Sequence, residues 1–345
     1  MIHLDRKSGR FQWCRSALLL MSVLTAFASI GAAGIPQETT RTATFVCPMH
    51  SDVRAAAAGT CPICGMALVP TNSLPTAEYR LDVETVPRKV TSGRPFKLRL
   101  TVRHPQTHAV VHQFAVVHER RFHLFVISED LTHYEHVHPE QEADGSWVLD
   151  LTVPRAGRYR LYSDFLPAGG PPQVVATPIV TGDSDRSDAV APGLPLVPDR
   201  SLNHTIGPLS VTLEMPADGL RAGRQETFVY HLADAVTGKP VTDVEPYLGA
   251  WGHSLAVSED LSNVVHAHPV ELVPDGRPSA RGGPTLTFKA ELPEPGKYRI
   301  WTQFKRNGEI VTAVFTVDIT STGPAQRGAL RDGSSGLRSR PPGDR

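Results

Sequence analysis

The chain has 345 residues, 40% hydrophobic and 20% charged, with Lys plus Arg equal to Asp plus Glu at 35 each. That length allows two or three domains, and the balanced charge offers no basic face for nucleic acid or an anionic membrane. Thirty prolines and 28 glycines suit a turn-rich all-β chain, and no long amphipathic helical pattern is present.

In chain order, the N-terminus comes first. Arg6, Lys7, Arg10 and Arg15 precede an apolar run from Ser16 to Ile30, and the small residues Gly31, Ala32 and Ala33 follow. This is the pattern of a cleaved secretory signal over 1–33. The run is shorter than the roughly 20 residues of a membrane span. Export to a periplasm or the outside is therefore expected, with anchoring by an uncleaved N-terminus as the alternative. Cys14 would leave with the signal, and it stands on the wrong side of the apolar run for a lipoprotein cysteine.

After a polar linker (34–46), a small module occupies 47–70. Phe45 to Pro70 reads FVCPMHSDVRAAAAGTCPICGMALVP and holds three of the chain's four cysteines. An odd, clustered set of cysteines is a poor disulfide framework and a better metal site. Cys47-x2-His50 and Cys61-x2-Cys64 are two knuckles that can close on one tetrahedral ion. The module is too short for a core of its own, so a metal would supply its folding energy. Thiolates with one imidazole suit zinc, whereas Met49 and Met66 add thioethers that favour copper(I) or silver. A redox-active Cys61–Cys64 pair is a third reading, since an oxidising compartment permits that disulfide.

These residues resemble the heavy-metal-binding domain, written roughly C-P-M-H-P, a spacer, then P-G-x-C-P-x-C-G-M-x-L. Cys47, Met49, His50, Cys61, Cys64, Gly65, Met66 and Leu68 stand at that family's positions. Ser51 replaces its usual Pro, and Gly59-Thr60 only partly keeps its Pro-Gly; none of these is a ligand type. Such domains occur on copper and silver efflux adaptors and on some metal-transporting P-type ATPases. The resemblance implies a bound copper, silver or zinc ion and a metal efflux or transport protein as partner.

The rest of the chain is a tandem repeat. HLFVISEDLTHYEHVHP (123–139) matches HSLAVSEDLSNVVHAHP (253–269), and VPRAGRYRLYSDF (153–165) matches LPEPGKYRIWTQF (292–304). Trp147, Leu149, Leu151 and Val153 alternate with polar residues, as do Leu286, Phe288, Ala290 and Leu292. Period two means strands. The expected fold is mainly β: the metal-knuckle module, then two Ig-like β-sandwich domains at 78–182 and 201–320, joined by a linker (183–200) and followed by a disordered tail (321–345). In the repeated P-x-x-G-x-Y, Gly supplies an unusual backbone angle and Tyr packs inward. The two domains also resemble uncharacterised β-sandwich units that accompany the heavy-metal-binding module in secreted bacterial proteins.

Eight of the fifteen histidines lie between His104 and His138. Three positions recur in both copies: His123/His253, His136/His266 and His138/His268. An extended H-x-H puts both rings on one side, and the Ser-Glu-Asp-Leu turn before it can return the pair toward the strand that begins at His123. Three imidazoles together would make a copper(II) or zinc site. The alternative is a hydrogen-bonded histidine at a core edge, with Pro139 and Pro269 stopping a strand. His118 and His133 have no counterpart (Leu248 and Asn263), so if there is an extra ligand, or a group that supports one, only the first copy has it.

No G-x-S-x-G, Walker A, dinucleotide fingerprint or H-E-x-x-H is present. The sandwiches lack the cysteine of a blue-copper site. The expected function is non-catalytic: soft-metal or zinc sequestration or delivery in metal resistance. The alternative is an interaction protein with a structural zinc knuckle and two Ig-like adaptor domains. The oligomeric state is not legible.

Overall fold

A computed structural model describes residues 44–47, 53–62, 67–71, 79–183, 193 and 195–321. The expected signal at 1–33 lies outside the described residues, as does the expected tail beyond Ser321.

The head is a small antiparallel sheet of β1 (Thr44–Val46), β2 (Arg54–Ala55) and β3 (Val69–Thr71), with β1 in the centre. Thr44–Val46, at the end of the expected linker, is thus the middle strand. Cys47, Cys61 and Leu68 are buried together, with Phe45, Val53 and Ala55 packed against them.

The first sandwich contains β4 (Arg80–Val86), β5 (Phe96–Arg103), β6 (Phe122–Ser128), β7 (Tyr134–Val137), β8 (Glu140–Gln141), β9 (Trp147–Leu151), β10 (Arg158–Phe165) and β11 (Gln173–Val180). Its sheets run β4-β5-β9-β8 and β11-β10-β6-β7, the two-sheet Ig arrangement with one added edge strand. In β5 the apolar residues Phe96, Leu98, Leu100 and Val102 face inward and alternate with Lys97, Arg99, Thr101 and Arg103. They meet Phe122, Leu124, Trp147 and Leu161 in the core.

The second sandwich adds β12 (Asn203–Ile206), β13 (Leu209–Glu214), β14 (Leu220–Arg221), β15 (Gln225–Asp234), β16 (His253–Ser258), β17 (Val264–Ala267), β18 (Thr285–Glu291), β19 (Gly296–Arg306) and β20 (Glu309–Thr320). Its sheets run β12-β13-β15-β18 and β14-β20-β19-β16-β17. The repeated P-x-x-G-x-Y is a tyrosine corner in both copies. Gly157 and Gly296 take φ of 131° and 138°. The Tyr159 hydroxyl donates to Arg155 O at 2.7 Å, and that of Tyr298 to Glu294 O at 3.0 Å.

Strand β6 is buried along its whole length, and so is β16. One face of each serves its own core. The other faces meet: Phe125, Ile127, Leu131 and Tyr162 of the first sandwich pack with Leu255, Val257, Leu261 and Trp301 of the second. Tyr134 stacks on Trp301 with centroids 5.1 Å apart, and the Tyr162 hydroxyl donates to Leu261 O at 2.8 Å. The near-continuous apolar runs of β6 and β16 are the signature of strands covered on both faces.

Two substitutions separate these contributions. Tyr298→Phe removes one corner hydrogen bond and is expected to lower the unfolding free energy by about 1 kcal/mol. Trp301→Ala empties the centre of the interdomain core and is expected to cost about 3–5 kcal/mol. Urea denaturation followed by tryptophan fluorescence and circular dichroism measures both.

Candidate metal centre

Each sandwich carries the same local device. A tight turn spans Val117–Arg120 in the first copy and Tyr247–Ala250 in the second, closed by paired backbone hydrogen bonds. His118 and Glu119 take φ of 46° and 62°, and Leu248 and Gly249 take 51° and 72°, as a type I′ turn requires. The first carbonyl of each turn accepts a proton from the triad histidine on the following strand. His123 Nε2 donates to Val117 O at 3.0 Å, and His253 Nε2 to Tyr247 O at 2.9 Å. A neutral imidazole has one N–H, so Nδ1 of both rings is left as a bare acceptor.

The H-x-H pairs return to those acceptors. In the first copy His136 Nε2 lies 3.1 Å and His138 Nε2 3.2 Å from His123 Nδ1. In the second, His266 Nε2 lies 3.4 Å and His268 Nε2 2.8 Å from His253 Nδ1. The three recurrent positions therefore meet in each domain.

The partners of the outer nitrogens come from the opposite domain. His136 Nδ1 donates to Gln303 Oε1 at 3.0 Å, and His266 Nδ1 donates to Asp164 Oδ2 at 2.8 Å. Gln303 is the cross-strand neighbour of His253, and Asp164 is that of His123. Each domain thus orients one imidazole of the other. A carboxylate and an amide oxygen can only accept, so the Nδ1 of each ring carries a proton, and Nε2 of the neutral His136 ring is bare.

Two bare nitrogens then face each other across 3.1 Å in the first triad. No proton lies between them to make a hydrogen bond. With metal–nitrogen bonds of about 2.0–2.1 Å, two ligands of a tetrahedral ion stand about 3.3 Å apart. The spacing and the tautomers both fit a cation.

His118 is the element that the repeat pattern could not place. It leaves its own domain and stacks on His268, with centroids 3.5 Å apart. Its Nε2 is buried with no partner. His118, His253 and His268 offer ligand atoms within 4.8 Å of one another, as do His123, His136 and His138.

Burial keeps these rings neutral. Desolvation, followed by the fields of neighbouring imidazoles, pushes His118 down to about 3, His123 to about 4 and His138 to about 3. His136, His253 and His268 are lowered well below 6.5 for the same reasons. Neutral imidazole is the form that binds metal.

In the head, Cys47 and Cys61 share one buried cluster. Cys47 N donates to Val53 O at 3.0 Å and Leu68 N to Gly59 O at 2.8 Å, so both cysteines stand where a backbone hydrogen bond closes a loop. Met49, His50, Cys64 and Met66 lie outside the described residues. Glu129-Asp130 belongs to a turn rather than to this centre. Asp130 accepts from Ser128 Oγ and from Thr132, and pairs with Arg155.

The chain belongs to the family defined by a domain of unknown function, DUF8832, which matches twice, at residues 76–181 and 204–321. Residues 44–71 match the heavy metal binding domain. No curated protein matches the chain. Among solved structures, it is similar to the Escherichia coli adhesin FdeC, at 12% identity and a TM-score of 0.23, over 74% of this chain and 69% of that one. It is also similar to the Yersinia pseudotuberculosis adhesin InvE, at 10% and 0.22, over 70% of this chain and 61% of that one. Fibronectin(III)-like modules of Clostridium thermocellum CbhA match at 9% and 0.18, over 70% of this chain and 95% of theirs. Scores this low say nothing about activity.

The depressed histidines predict a pH dependence. In the unfolded chain these rings titrate near 6.5; in the folded chain His118, His123 and His138 titrate at about 3–4. Between those values the unfolded chain binds protons that the folded chain refuses. Stability of the metal-free protein is therefore expected to be full above about pH 6.5 and to fall steadily toward pH 4. Thermal unfolding across that range checks it; a flat profile between pH 7 and pH 5 would contradict it.

Proposed function

We propose that this is an exported metal-binding protein that sequesters or delivers a soft or borderline metal ion, in the service of metal resistance. The match of residues 44–71 to the heavy metal binding domain carries the reading. In it, Cys47, His50, Cys61 and Cys64 hold the captured ion, with Met49 and Met66 nearby. That donor set favours copper(I) or silver, with zinc as the borderline competitor. Each sandwich adds a histidine triad, His123/His136/His138 and His253/His266/His268, whose all-imidazole set suits copper(II) or zinc. Export fits the N-terminal pattern of basic, apolar and small residues. Among the described residues no helix is long and apolar enough to cross a membrane. A metal efflux or transport protein is the partner that the head's chemistry suggests.

Metal loading separates this reading from a structural knuckle. The protein is titrated with copper(I), silver and zinc under reducing conditions, and bound ions are counted by native mass spectrometry. Tight copper(I) or silver is expected, lost in Cys61→Ser/Cys64→Ser and kept in His136→Ala/His138→Ala. One zinc that copper(I) cannot displace would instead identify a folding element and an interaction protein.

A further inference from the structure

We infer that the two triads and His118 form a single dinuclear metal centre, assembled across the docked sandwiches, that takes a pair of copper(II) or zinc ions. This rests on the reading of the triads as metal sites and states how they work together.

The rings of the two triads interleave. The His136 centroid lies 5.5 Å from that of His253 and 5.7 Å from that of His266, and His123 lies 5.6 Å from His266. The hydrogen bonds are also crossed, with Asp164 of the first domain orienting His266 of the second and Gln303 of the second orienting His136 of the first. A metal ligand held through its outer nitrogen by the other domain is placed only when the domains are docked.

His118 makes the centre asymmetric. His118 has a buried, unpartnered Nε2 and converges with His253 and His268, so the second set of three imidazoles borrows a ring from the first domain. A buried ring nitrogen without a partner is costly, and two non-glycine residues at positive φ add strain to the turn that presents it. A cation at the second triad compensates both costs. Two ions held by rings this close could share a small bridging ligand, hydroxide or water, as paired metals do.

The test uses the full chain with the head silenced by Cys47→Ser, Cys61→Ser and Cys64→Ser, titrated with copper(II). Ions are counted by native mass spectrometry, and spins by electron paramagnetic resonance on the same samples. Two bridged copper(II) ions couple and lose their signal, so two coppers are expected with a spin integral far below the copper content. Removing one triad (His266→Ala with His268→Ala) should leave one copper at full spin. In the chain that keeps only the second triad (His136→Ala with His138→Ala), Asp164→Ala should weaken copper binding about 10–100-fold. Asp164→Asn, which keeps an acceptor oxygen, should restore most of it. In the chain that keeps only the first triad, Asp164→Ala should leave the affinity unchanged. Two coppers at full, isolated spin would overturn the dinuclear centre and leave the triads as separate sites. No copper in the body, with metal still bound by the intact head, would remove the triads from the proposed function and leave the head.

Discussion

The body depends on one packing event: the face-to-face docking of the β11-β10-β6-β7 sheet on the sheet that contains β19, β16 and β17. Phe125, Ile127, Leu255, Val257 and Trp301 form an interdomain core that is as dry as the cores of the two sandwiches. At about 25 cal/mol per Å² of apolar surface removed from water, a contact of this kind holds two domains in one orientation rather than leaving them tethered. That orientation brings the histidines of the two repeats together.

Beside that core lies a polar cluster that burial makes demanding. A dry site strengthens every satisfied hydrogen bond and penalises every missing one. The carbonyls of Val117 and Tyr247 and the side chains of Gln303 and Asp164 satisfy the outer nitrogens of His123, His253, His136 and His266. A pair of satisfied core histidines would place a donor against an acceptor. Between His123 Nδ1 and His136 Nε2 an acceptor meets an acceptor, an arrangement that a cation would resolve. The head is built differently: a three-strand sheet and a handful of buried apolar residues give it little core of its own.

Much of this was legible in the residues. Alternation in Trp147–Val153 and Leu286–Leu292 marks strands, and the offset between HLFVISEDL and HSLAVSEDL marks a duplicated domain. The recurrence of His123, His136 and His138 at equivalent places marks three side chains that local structure alone can gather. They lie on one hairpin, and the hairpin's register pairs Phe125 with His136. His118, Asp164 and Gln303 were not legible as members of the same cluster. His118 has no counterpart in the repeat. Asp164 and Gln303 sit in S-D-F and T-Q-F, where a polar residue in an apolar strand was the one available signal.

By itself, the sequence determined what short-range rules govern: the strands, the tyrosine corners, the knuckle spacing and the three imidazoles of each triad. These depend on periodicity, turn chemistry and neighbours within one hairpin. Only the tertiary structure decided that β6 and β16 are covered on both faces, that each domain orients a histidine of the other, and that His118 joins the second copy's ring set. The physical reason is that two sheets dock through the sum of many non-directional apolar contacts, which no local spacing encodes. Directional groups such as Asp164 and Gln303 acquire their partners only after that sum has chosen the orientation.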